Sequence, residues 1–228
     1  MKKRKVIYDG IRYNLVVYLM YEGMDQFNEL GQLVMQDYYK KHSSLIIDKN
    51  RLASKIRRLD DLHASMLIVL DDKVVKKVLV VATELAVFPT VELVMQANSD
   101  AQKIFEEYGV YGSYGIRDEK LLDNIVKATK NSVYYGQDTI PTLLRKATVY
   151  WWKLAHYQIF SNGNKRTGLI VAALFMKLNY MNLDFKQDEM YEISKKIAND
   201  ELDTDGLYDY LLKNTSLDYS RMLQQYDK

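Results

Sequence analysis

The run Gln158-Ile-Phe-Ser-Asn-Gly-Asn-Lys-Arg-Thr-Gly168 gathers residue types that grip phosphate. Gly163 lets the backbone approach an anion closely. Asn164 can cap a helix or hydrogen-bond a phosphate oxygen. Lys165 adds a mobile point charge, and the planar fork of Arg166 can hold two oxygens at once. The run precedes a strongly apolar stretch, so it falls at a predicted helix N-terminus. There, unpaired backbone N–H groups and a partial positive charge favour an anion. An isolated Asn-Gly-Asn is more often an Asx-capped turn beside solvated cations. Gly, Asn, Lys and Arg together, at the head of the most apolar helix, are a stronger sign of a phosphate site than any one of them alone.

The elements that must position this loop read as helices. Leu143, Leu144, Ala147, Trp151, Leu154 and Ala155 form one buried stripe before the loop, with Pro141 suited to the first turn. After it, residues 165–180 are apolar almost all round, as a helix surrounded by others would be. Asp118 is placed to cap a helix through Leu121, Leu122 and Ile125. Residues 90–108 read as a helix. Tyr108–Gly115 and Tyr134–Thr139 read as loops, and two further helices fall near 188–198 and 206–214. Upstream, a helical period covers 24–41. Asp48 is a candidate N-cap for a second helix bearing Leu52, Ile56, Leu59 and Leu62, and 74–87 is a third apolar segment. The first twenty residues fit either a hairpin about Asp9-Gly10 or the start of a helix. With only two prolines and ten glycines, the expected class is all-α: a bundle around the helix that begins at the loop. It divides into a mainly helical N-terminal region over 1–88, a domain over 89–214 and a polar tail over 215–228.

Composition narrows the chemistry. Hydrophobic residues make up 48% and charged residues 27% of the 228, as in an ordinary globular protein. The net charge of +2 argues against nucleic acid or an anionic membrane as the partner. The absence of cysteine excludes disulfides, thiolate metal sites and a Cys nucleophile. His42, His63 and His156 show no metal-ligand spacing. The basic start has no signal-peptide form and the longest apolar run, 168–178, is too short to span a bilayer, so a cytoplasmic protein is expected. The basic cluster Arg51, Lys55, Arg57 and Arg58 lies beside Asp60 and Asp61, and is more economically a solvated face.

The loop resembles the motif of the Fic/Doc (Fido) family, His-x-Phe-x-(Asp/Glu)-(Gly/Ala)-Asn-(Gly/Lys)-Arg. It is most similar to the Doc, or "death on curing", branch, which favours the Lys found at 165. Gly115-Ile-Arg-Asp118 is similar to a second Doc-like signature ahead of a helix. The resemblance covers about 89–214 and implies a Fido-type helical fold. It also implies transfer of part of a nucleotide, with ATP and Mg²⁺ as the expected cofactors, onto a Ser, Thr or Tyr hydroxyl of a target protein. Most members transfer AMP, and Doc-type members transfer phosphate. By resemblance, Phe160 is a core anchor and Gly163, Asn164, Lys165 and Arg166 clamp phosphate. Tyr134, Tyr135 and Gln137 fall where the family has a flap for the target segment.

Two positions depart from the pattern. The family's catalytic His falls on Gln158, and an amide cannot take the proton of the target hydroxyl. The acidic metal ligand falls on Asn162, whose oxygen lacks the charge that a hard cation favours. His156 is two residues from Gln158 and would face elsewhere on a helix, so packing is its better explanation. Gln158 fits either a natural loss of the base or a silencing substitution of a His. The expected function is therefore a toxin-type protein modifier, inactive or impaired as written. The alternative is a degenerate Fido domain that binds a nucleotide or a protein without transfer. The family's inhibitory pattern, (Ser/Thr)-x-x-x-Glu-(Gly/Asn), finds no match in the sequence, because the only candidate, Glu22-Gly23, follows Tyr18. By resemblance, control falls to a separate antitoxin chain or to the N-terminal region.

Overall fold

Dense runs of Val, Ile and Leu between residues 6 and 82 fold mostly as strands. The computed structural model describes residues 6–44, 48–82, 85–104, 115–184 and 187–227. Within these the chain forms two compact units, one of 1–86 with 216–228 and the other of 87–215.

In the first unit β1 (Val6–Tyr8) and β2 (Ile11–Tyr13) pair antiparallel around Asp9 and Gly10. Both turn residues have positive φ, 48° and 70°, the twist that joins two strands tightly. The hairpin alternative for this segment is the one adopted. β3 (Leu15–Tyr18) leads to α1 (Met24–His42), then β4 (Leu52–Arg58), β5 (His63–Leu70) and β6 (Lys73–Val81). They form a four-stranded mixed sheet in the order β3-β6-β5-β4, with β3 parallel to β6 and the other pairs antiparallel. Helix α1 lies against this sheet so closely that a Cβ on Gly31 would sit 3.1 Å from Ser54 Oγ.

This sheet overturns the all-α expectation and the mainly helical N-terminal region. Leu52, Ile56, Leu59 and Leu62 satisfy a helical spacing, yet Leu52 and Ile56 lie on a strand in register with Leu70 and Met66. β-branched side chains in β5 and β6 favour the pleated surface. Asp71 and Asp72, at φ 46° and 62°, close their hairpin without glycine. Helical spacing over a short apolar run does not by itself distinguish the two periods. Among the described residues there are eight α-helices and ten strands.

The second unit is predominantly helical. It contains α2 (Val91–Ile104), α3 (Glu119–Lys130), the hairpin of β7 (Val133–Tyr134) and β8 (Gln137–Asp138), and α4 (Leu143–His156). It continues through α5 (Asn164–Leu178), β9 (Met181–Leu183), α6 (Gln187–Ala198) and α7 (Thr204–Asn214). The expected helix over 90–108 and loop over 108–115 continue through residues 105–114, which lie outside the described residues. Helix α5 is central: α2, α4, α6 and β9 all pack on it. Trp151, Leu154, Val171 and Phe175 have no exposed surface. Gly168 permits the close approach of α4 and α5, because a Cβ there would meet Trp151 O at 2.6 Å. The chain then crosses back through β10 (Thr215–Leu217) to α8 (Tyr219–Tyr226), which packs on β3. The polar tail is thus an ordered part of the first unit. No helix among the described residues is long and apolar enough to cross a membrane.

Candidate functional site

Two helices frame the loop. Thr142 caps α4 by accepting from Arg145 N at 3.2 Å, so Pro141 sits just before the cap rather than in the first turn. The helix ends when Tyr157 turns extended. Helix α5 begins after Gly163, whose φ of 79° and ψ of 7° place it in the left-handed region. The five residues between Tyr157 and Gly163 form a tight loop held by side-chain amides.

Asn164 is the staple. Its Oδ1 accepts from Phe160 N and its Nδ2 donates to Phe160 O, each at 2.8 Å. Both polar atoms of the side chain are therefore engaged within the loop. Phe160 itself is buried at 2% exposure. Asn162 Oδ1 accepts from Gly163 N at 2.7 Å. Thr167 Oγ1 donates to Gly163 O at 2.9 Å. From α2, the Nδ2 of buried Asn98 donates to Asn162 O and to Thr167 Oγ1, both at 2.9 Å. Asn98 escaped the sequence reading. Its signal was a lone amide on the apolar stripe of Val94, Ala97 and Ala101.

The two motifs, forty residues apart in sequence, meet here. Ile116 bridges antiparallel to Phe160, Arg117 N donates to Ile159 O at 2.7 Å, and Ser161 N donates to Gly115 O at 2.9 Å. Asp118, one residue on, caps α3 by accepting from Leu121 N at 2.8 Å. Arg117 also donates through Nη1 to Gln158 Oε1 at 3.2 Å. Gln158 is exposed, and its amide oxygen faces a guanidinium.

The head of α5 offers its first-turn N–H groups, which no turn of the helix precedes. Lys165 is exposed there and Arg166 is half-buried. The N–H of Gly163 is already engaged by Asn162. The Mg²⁺ implied by the resemblance does not fit these residues. Asn162 carries no charge and its oxygen is committed, and among the described residues no group of three or more His, Cys, Asp and Glu side chains could hold a metal ion.

The histidines serve elsewhere. His156 stacks on Trp152 at 4.2 Å, with Nδ1 3.3 Å from Asp200. His42 stacks on Tyr38 and His63 on Tyr8, each at 4.1 Å.

A family model described as the Fic/DOC family matches residues 90–176, which take in the loop, Asn98 and the Gly115–Asp118 segment. The Toxin Doc of Mycolicibacterium smegmatis is 33% identical over 98 residues, 42% of this chain and 75% of that protein. The chain belongs to the Fic/DOC family. In this Fic/DOC chain the phosphate-type residues follow Gly163, while the two substituted positions are both amides with their oxygens satisfied inside the fold.

Proposed function

We propose that the head of α5 takes the phosphate chain of a nucleotide such as ATP. In this reading the protein is a Doc-like modifier of a target protein's Ser, Thr or Tyr hydroxyl, with transfer impaired by Gln158. The observation that carries it is the loop: left-handed Gly163, stapled by Asn164, opening a helix whose first turn bears Lys165 and Arg166. Such a helix head favours phosphate through its N–H groups and its dipole. The catalytic step would need a base at 158 to take the hydroxyl proton as the oxygen attacks phosphorus. An amide cannot do so at neutral pH. No step is routed through Mg²⁺, because the donors present do not suit it.

The name of the M. smegmatis relative, Toxin Doc, supports a toxin role. In this reading the protein acts in the cytoplasm, and a separate antitoxin chain controls it. A second reading, binding without transfer, draws on the state of the two amides. Gln158 and Asn162 are both accommodated within the fold rather than left unpaired.

Installing the base separates the readings. Gln158→His is incubated with α- or γ-labelled ATP and lysate proteins, beside the unaltered chain. The proposal expects label on protein only with the His variant, and growth arrest when that variant is expressed. Label from γ-ATP alone identifies phosphoryl transfer, and label from α-ATP identifies nucleotidyl transfer. ATP binding by calorimetry with no label from either chain supports the binding module.

A further inference from the structure

Lys146 lies in the middle of α4 with 0% of its surface exposed. A buried ammonium is costly unless its hydrogen bonds are met. Its Nζ donates to Thr129 O at 2.9 Å, at the end of α3, and to Ser132 Oγ just before β7. The Ser132 hydroxyl passes its own hydrogen to Asp138 Oδ1 at the end of β8. Asp138 Oδ1 also accepts from Ile140 N at 2.9 Å. Thr139 closes the base of the hairpin, donating to Ser132 O from both N and Oγ1 at 3.0 Å. One ammonium is therefore linked to both feet of the β7–β8 hairpin.

That hairpin needs an anchor. Each strand is two residues long, and an isolated ribbon of this size has little stability of its own. Its turn, Tyr135 and Gly136 at φ 49° and 78°, sets its twist but not its position on the domain. Val133, Tyr134 and Tyr135 on it are 60%, 54% and 107% exposed, so no side-chain burial fixes it either.

We propose that Lys146 is a positioning residue for the 133–138 hairpin, fixing its placement through Ser132 and Asp138. The hairpin is thereby presented to solvent as a preset ribbon carrying two tyrosines. The inference goes beyond the transfer reaction and does not depend on residue 158.

Burial pushes the Lys146 ammonium down to about 8, with Asp138 acting in the opposite direction. Asp138 faces it from β8, and Lys130 of α3 shares with it the Phe88 ring, each amine 5.9 Å from the centroid. The unfolded chain keeps the ordinary value of 10.5. Between those two values the unfolded state binds more protons, so stability attributable to this group rises with pH.

The test is amide hydrogen exchange on the full chain, with thermal unfolding from pH 7 to 10. Lys146→Met should speed exchange of the hairpin amides by roughly tenfold, leave Trp151, Val171 and Phe175 unchanged, and abolish the rise in stability above pH 8. Ser132→Ala cuts the relay in the middle and serves where the Met variant does not fold. It should loosen the same amides, and Lys146→Met/Ser132→Ala should loosen them no further than Lys146→Met alone. Hairpin exchange unchanged in both single variants overturns the proposal. Equal acceleration of the hairpin and the α4–α5 core also overturns it.

Discussion

At position 158 an amide oxygen accepts from Arg117, and at 162 another accepts from the N–H of Gly163. Both side chains resemble their family counterparts in reach but carry neither basicity nor charge. The consequence at 162 can be measured without any reaction. The phosphate site proposed at Lys165, Arg166 and the helix N–H groups would favour the more highly charged, metal-free nucleotide. Titrating the chain with ATP should give an affinity in EDTA equal to or tighter than that in Mg²⁺. Tightening by Mg²⁺ of about tenfold, roughly 1.4 kcal/mol, would mean that Asn162 turns outward to serve a metal after all. The residue scale also holds what spacing missed. Asn98 was not singled out because its partners, Asn162 O and Thr167 Oγ1, are more than sixty residues away.

Among the elements, α4 and α5 matter most, since the loop between them inherits its geometry from how they pack. Their close approach depends on Gly168, where a methyl group would press on the backbone oxygen of Trp151 at 2.6 Å. Backbone cannot swing aside as a flexible side chain can. Gly168→Ala should therefore cost about 1–3 kcal/mol in chemical denaturation and weaken ATP binding together with stability. An unchanged unfolding midpoint would show that the helices have room to separate. The amphipathic stripes of α3 and α4 were legible because helix periodicity, the Asp118 cap and the apolar face agree. The strand β4 was not, because Leu52 and Ile56, with Leu59 and Leu62 beyond them, also satisfy a period of 3.6. Only the sheet partners decide between the two.

For the whole molecule, the first unit is discontinuous, made from both ends of the chain. Helix α8 packs on β3, Met222 is 1% exposed, and Lys41 lies 5.6 Å from the Tyr219 ring centroid. Met222→Ala should cost about 2–5 kcal/mol, and the loss should be local. Hydrogen exchange should accelerate in β3 and β6 while α4 and α5 keep their protection. Equal loss in both units would show that the two compact units unfold together.

Taken alone, the sequence determined the local grammar of the second unit. It placed the phosphate-type residues 163–166 at a helix head, the Asp118 cap, the apolar face of α4 and the two family signatures. These are readable because each depends on residues within about two turns of one another. Tertiary structure alone decided that the N-terminal region is a mixed sheet, because strand pairing joins Leu15 to Val78 and Leu52 to Leu70 across intervals no local pattern encodes. It also decided that Gly115–Asp118 lies against the loop, that Asn98 braces it, and that Lys146 is linked through Ser132 to both feet of a hairpin. Each of these is a hydrogen bond whose donor and acceptor are brought together by packing, so it exists only once the helices have met.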